Sequence, residues 1–145
     1  MPADNHLERR PDSFEIAADL VGDRWTILIL REAFYGVRRY GEMARNLGIA
    51  RNVLASRLKG LVAGGLLERR LYRSDPDWYE YVLTEAGRDL YGAILAVLHW
   101  ADTHVPSQGE QLLHLRHRTC GHETHAKVVC AVCNAELDPR DVEVI

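Results

Sequence analysis

Apolar residues recur every three to four positions over four short stretches, then at every second position, then at helical spacing once more. Phe14, Ile16, Ala17, Leu20 and Val21 predict a short amphipathic helix with Ser13 as its N-cap, broken at Gly22-Asp23. A second helix is predicted from Arg24 to Tyr35; its Trp25-Thr26-Ile27-Leu28-Ile29-Leu30 run is apolar nearly all round, as suits the middle of a small bundle. Arg39 to Leu47 predicts a third, with Tyr40, Met43, Ala44 and Leu47 on one face and Gly48 as a left-handed C-terminal cap. After the tight link Ile49-Ala50, Arg51 to Val62 predicts a fourth. It points Val53, Leu54, Leu58, Leu61 and Val62 inward and leaves Arg51, Asn52, Ser56, Arg57 and Lys59 largely outward.

Past Gly64-Gly65 the period falls to two. Leu66 to Tyr72 and Trp78 to Leu83 predict two strands joined by the polar turn Arg73-Ser74-Asp75-Pro76-Asp77. Thr84 then caps a long helix from Glu85 to about His104, closed by Pro106. At 1.5 Å per residue it is roughly 30 Å long, more than so small a domain needs, and its apolar surface implies an oligomer contact. This order predicts a mainly helical α+β fold: a winged helix-turn-helix with a two-stranded wing and a long C-terminal dimerisation helix. The expected organisation is a polar arm over 1–12, the winged domain over 13–104, and a small β tail containing cysteine and histidine over 105–145.

Composition narrows the classes. The chain has 145 residues, 47% hydrophobic and 27% charged, which suits one domain with an appendage and excludes wholesale disorder. Its longest apolar run, Ala93 to Leu98, is far short of the roughly 20 residues that span a bilayer, and the polar start MPADNHLERRPDS has no apolar core of a secretory signal. No membrane partner is expected. Three cysteines, all after residue 119, offer no paired disulfide framework and fit a reducing, cytoplasmic compartment. The net charge of −3 argues against a nucleic-acid partner only until it is resolved along the chain. Residues 31–73 hold ten basic side chains against three acids, so the acidic excess lies elsewhere and the middle segment is strongly positive.

A helix of this kind fits the major groove of B-DNA. Arg51 and Asn52 at its N-terminal end, with Ser56, Arg57 and Lys59 beyond, are candidates for base and backbone contacts. Arg38 and Arg39 are placed to meet phosphates, and Arg69, Arg70 and Arg73 on the ribbon to reach the backbone or the minor groove. The double-stranded DNA partner competes with a second reading, a protein-binding adaptor built on the same fold, against which the basic excess weighs.

Five ordered blocks carry a resemblance. They are Ala18 to Glu32, Arg38-Arg39-Tyr40-Gly41-Glu42, Leu54-Ala55-Ser56-Arg57-Leu58, Gly65-Leu66-Leu67-Glu68-Arg69-Arg70 and Tyr81-Val82-Leu83-Thr84-Glu85-Ala86-Gly87. Over about residues 13–104 the chain resembles HxlR-type regulators, relatives of the MarR group. The resemblance implies a homodimeric bacterial transcription factor, joined through its first and last helices. It also implies a near-palindromic operator, with the Arg51–Val62 helix in each of two half-sites. Occlusion of a promoter makes a repressor the expected role. Many such regulators are similar in a cysteine just before the first helix, used in some as a thiol sensor. Here that neighbourhood reads Arg10-Pro11-Asp12-Ser13-Phe14, so the mechanism does not carry over at that position.

The tail has chemistry of its own. His117-x-x-Cys120-Gly121 and Cys130-x-x-Cys133-Asn134 have the form of two metal knuckles, in which a residue tolerant of the left-handed turn follows the second ligand. The expected tetrahedral set is His117, Cys120, Cys130 and Cys133 around a structural zinc, with His122 as the alternative to His117. Two other readings stand beside it: a reversible disulfide that makes the tail a redox sensor, and a metal-free hairpin. No enzyme is expected. Cys130-Ala-Val-Cys133 lacks the strand-helix-strand setting of a thioredoxin motif, and His122-Glu123 lacks the spacing of a zinc deaminase. Trp25, Tyr91 and Trp100 are candidates to line an apolar effector pocket between dimerising helices, though the effector itself is not specified by the sequence.

Overall fold

The computed structural model describes residues 12–105 and 113–145. Residues 1–11 of the polar arm predicted over 1–12, and the closing Pro106, lie outside the described residues. The element order is α1 (Ser13–Val21), α2 (Arg24–Phe34), α3 (Tyr40–Leu47), α4 (Arg51–Ala63), β1 (Leu67–Arg73), β2 (Trp78–Leu83), α5 (Glu85–His104), β3 (Leu115–Arg116) and β4 (Glu123–Thr124). The chain divides into two compact units, one ending at Asp89 and the other beginning at Leu90, so α5 starts in the first and continues in the second.

Local chemistry explains the helix starts. Asp12, not Ser13, caps α1: its carboxylate accepts the Glu15 N–H at 2.9 Å while the Glu15 carboxylate accepts the Asp12 N–H at 3.3 Å, a reciprocal capping box. Both residues are N-cap types; the acid three positions on selects Asp12. Asp23 caps α2 by accepting the N–H groups of Trp25 and Thr26, both at 3.1 Å. At the end of α3, Gly48 adopts φ 61°, the left-handed cap its position predicts.

The core of the first unit is small and mostly helical. Ile29, Leu30, Met43, Leu54 and Leu58 are fully buried, with Leu61 and Leu67 nearly so. Of the five side chains predicted to point inward from α4, Leu54, Leu58 and Leu61 are buried, while Val53 and Val62 are half-buried. Within α2 the buried face carries Glu32, 5% exposed, whose carboxylate accepts from Asn46 Nδ2 at 2.7 Å and pairs with Arg31 at 3.2 Å. That pairing satisfies a buried charge and ties the end of α3 to α2. Ile27 remains 38% exposed, so α2 is less enclosed than its composition suggests.

Strands β1 and β2 pair antiparallel, with Leu67 opposite Leu83, Arg69 opposite Tyr81 and Arg73 opposite Trp78, and an irregularity between Leu71 and Arg73. The Tyr81 N–H also donates to the Arg38 carbonyl at 2.7 Å, which fastens the base of the wing beside the start of α3. In the second unit β3 and β4 form a two-residue antiparallel pair, and Val129 bridges Glu136. The β3–β4 hairpin around the first knuckle is an addition that no period in so short a segment signals. No helix among the described residues is long and apolar enough to cross a membrane.

Candidate nucleic-acid interface

Successive residues of an α-helix are rotated by about 100°, so the buried stripe of α4 defines its opposite face. With Leu54, Leu58 and Leu61 inward, the side opposite carries Asn52, Ser56 and Lys59, all exposed. Arg51 stands on one flank, its carbonyl accepting from the Tyr40 hydroxyl at 2.5 Å and its guanidinium 5.8 Å from the Tyr40 ring centre. Arg57 stands on the other. It is exposed, but its Nε is 3.2 Å from an oxygen of Asp23, and it lines a cavity of about 110 Å³ with Asp19, Leu20 and Thr26. Arg57 therefore leans toward the junction of α1 and α2, where the exposed Ser56 also lines the cavity, while Asn52 and Lys59 project outward.

Asp23 joins that junction to α4. Its carboxylate accepts from two backbone N–H groups and the Thr26 hydroxyl and pairs with Arg57. Burial opposes its ionisation, yet the Thr26 hydroxyl and N–H, the Arg57 charge and the Trp25 N–H outweigh it and hold the carboxyl below its ordinary value. A carboxyl with a lowered pKa in the folded state contributes stability above its unfolded value, and that stability is lost as pH falls through the folded one. Asp23→Ala should cost about 1 kcal/mol at neutral pH by loss of the cap. Its unfolding free energy should also fall less steeply than the wild type's below about pH 4. Parallel pH curves for the two proteins in chemical denaturation would contradict this.

The remaining basic candidates divide by partner. Arg38 lies 3.8 Å from a Glu80 oxygen, and Arg70 pairs with Glu68 on the same strand. Arg39 lies 4.5 Å from the Tyr72 ring centre, Arg69 3.6 Å from that of Tyr79, and Arg73 5.7 Å from that of Trp78. The contacts of Arg69 and Arg73 depend on cross-strand register and that of Arg39 on how the start of α3 meets β1, neither of which the spacing of the residues along the chain displays.

In the second unit the two predicted knuckles form as turns. The Gly121 N–H donates to the His117 carbonyl at 2.7 Å, Gly121 has φ 76°, and His117 Nδ1 is 3.5 Å from Cys120 Sγ. The His117 N–H donates to the carbonyl of His122, the alternative ligand, at 3.0 Å. The Asn134 N–H donates to the Cys130 carbonyl at 2.9 Å, Asn134 has φ 61°, and the Val132 N–H points at Cys130 Sγ at 3.5 Å. All three cysteines are free thiols. Among the described residues no three His, Cys, Asp or Glu groups are gathered to hold one ion.

Of the aromatic candidates for an effector pocket, Trp100 lines a cavity of about 370 Å³ together with His99, His104, His125, Lys127 and Glu136. Tyr91 does not line it, and Trp25 belongs to the first unit, where Arg24 lies 5.5 Å from its ring centre.

Three helices, a turn-linked fourth that exposes polar side chains along one face, and a two-stranded arginine-bearing ribbon together define a winged helix-turn-helix DNA-binding protein. The chain belongs to the HxlR-like helix-turn-helix family, whose model matches residues 20–109. It is 52% identical over 126 residues to an HTH-type transcriptional regulator of Mycobacterium tuberculosis, a match covering 87% of this chain and 80% of that one. It is similar to the crystal structure of the transcription factor PA1607, with a TM-score of 0.82 and 29% identity, over 95% of this chain and 96% of that one. It is also similar to a MarR-family transcriptional regulator from Enterococcus faecalis V583, with a TM-score of 0.58 and 33% identity, over 68% of this chain and 92% of the other. The protein is a transcriptional regulator with a helix-turn-helix DNA-binding domain, in a family of transcription factors rather than enzymes.

Proposed function

We propose that the protein is a sequence-specific, cytoplasmic regulator that binds a near-palindromic operator as a homodimer and represses by occluding the promoter. The observation that carries this reading is the outward face of α4, where Asn52, Ser56 and Lys59 are exposed, stabilise nothing in the core, and have the chemistry of base and phosphate contacts. Dimerisation is supported by apolar side chains that α1 and α5 leave uncovered. Helix α1 buries none of its residues, with Phe14 87% exposed and Ile16 50%, and α5 exposes Val97 and Trp100. Against an adaptor that recognised another protein weighs the basic excess of residues 31–73, ten basic side chains against three acids. Selection of bound sequences from a random duplex pool, followed by the mass of the complex, tests the reading. Enrichment of an inverted repeat and two chains per duplex are expected. A single chain on an asymmetric site would overturn the dimer, and no enrichment would overturn sequence specificity.

A further inference from the structure

Eight of the nine arginines between residues 31 and 73 are of two kinds. Arg31, Arg38, Arg57 and Arg70 each face a carboxylate, in Glu32, Glu80, Asp23 and Glu68. A phosphate approaching one of these meets a cation already neutralised and an anion beside it, so engagement must first break the ion pair and overcome the repulsion. Arg39, Arg51, Arg69 and Arg73 rest instead on the rings of Tyr72, Tyr40, Tyr79 and Trp78. An aromatic face attracts a guanidinium through its quadrupole yet carries no net charge, so the full positive charge stays available to a second, anionic partner. Two of the supports are themselves joined, because Tyr72 and Trp78 meet edge to face with centroids 6.3 Å apart. The result is a continuous line from Arg39 at the start of α3, through Tyr72 and Trp78, to Arg73 at the wing tip. The ring-borne set spans three elements that DNA would meet together: the N-terminus of α3, the N-terminus of α4 and the wing.

We propose that Arg39, Arg51, Arg69 and Arg73 are the arginines of this protein that contact phosphate, and that Tyr72, Tyr40, Tyr79 and Trp78 are positioning residues that hold their guanidinium groups in place without neutralising them. The proposal rests on the DNA-binding reading above and adds to it which of the arginines engage phosphate. The physical gain is preorganisation: an arginine with a long flexible stem loses rotamer freedom when it docks, and a ring that already restricts it reduces that loss. The carboxylate-paired arginines contribute little to affinity.

Salt dependence separates this role from a merely structural one. Each phosphate contact contributes about 0.9 to the slope of log affinity against log salt concentration, whereas a variant with fewer folded molecules keeps its slope. The measurement is the affinity of the full-length protein for a random-sequence duplex over a salt series, with the selected duplex in parallel. Tyr79→Leu leaves the formal charge unchanged, yet it should weaken binding about two- to fivefold and lower the slope by about 0.9. Tyr79→Phe, which keeps the ring face, should restore both. Trp78→Leu, at an exposed strand end, repeats the test if Tyr79→Leu does not fold. Arg69→Ala should lower the slope as Tyr79→Leu does, and Arg70→Ala should not. A wild-type slope for both ring variants, or an equal loss in Arg70→Ala and Arg69→Ala, would overturn the proposal. Failure of the wild type to prefer any sequence would overturn sequence specificity alone, since the slopes on random duplex still decide the present point.

Discussion

Gly87→Ala is expected to lower the unfolding free energy by about 3 kcal/mol, although alanine is the better helix former. Gly87 is the buried residue of α5, and a Cβ built on it would lie 2.1 Å from the Leu66 carbonyl oxygen and 3.0 Å from Leu83 Cδ2. The carbonyl cannot give way cheaply. It accepts the Thr84 N–H at 3.1 Å, and the Thr84 hydroxyl donates to the Gly65 carbonyl at 2.5 Å while accepting the Gly87 N–H at 3.1 Å. Thr84 thus caps α5 and fastens it to the turn between α4 and β1, and the absence of a side chain at 87 is what lets helix and turn approach. Gly41→Ala is the control, because a Cβ added to that glycine in α3 would meet no described atom within 4 Å. It should raise stability by up to about 1 kcal/mol. Urea denaturation of the two variants distinguishes close packing from propensity, and a Gly87→Ala protein as stable as the wild type would contradict the packing.

Asn52→Ala is expected to remove about 1–3 kcal/mol of discrimination between the selected duplex and a random one, roughly 5- to 150-fold. Asn52 is exposed on the face of α4 opposite Leu54, Leu58 and Leu61, near the helix N-terminus that the proposed docking places in the groove, where its amide can pair with an adenine edge. Its loss should fall on specificity, with the affinity for random DNA barely changed. Lys59→Ala should behave in the opposite way, weakening all duplexes alike and reducing the salt slope by about 0.9. Fluorescence anisotropy with both duplexes reads both effects. An Asn52→Ala protein that keeps the wild-type ratio of affinities would move base reading to another part of α4.

The sequence was a good guide wherever one chemical signal decided an element. The period of Leu54, Leu58 and Leu61, the left-handed Gly48 and the switch to alternation after Gly65 place α4, the turn before it and the wing almost to the residue. At the start of α1 two N-cap types sit side by side, and the reciprocal bond with Glu15 selects Asp12 over Ser13. The site was legible as a set of residue types and much less so as a set of partners. Arg57 and Lys59 are equally basic in the sequence, but Asp23, far away along the chain, draws Arg57 toward the α1–α2 junction. The ring contacts of Arg39, Arg69 and Arg73 depend on how β1 registers against β2 and how the start of α3 meets the wing. In the tail each local turn was readable from a left-handed residue after the second ligand. Convergence of the two turns is a long-range property that local spacing does not specify.

The central claim is that the outward face of α4 reads sequence. Its most direct test is the ratio of affinities of the full-length protein for its best selected duplex and for random duplex, measured at about 0.15 M salt. A ratio of about 10³ or more is predicted; equal affinity for every duplex would contradict the claim.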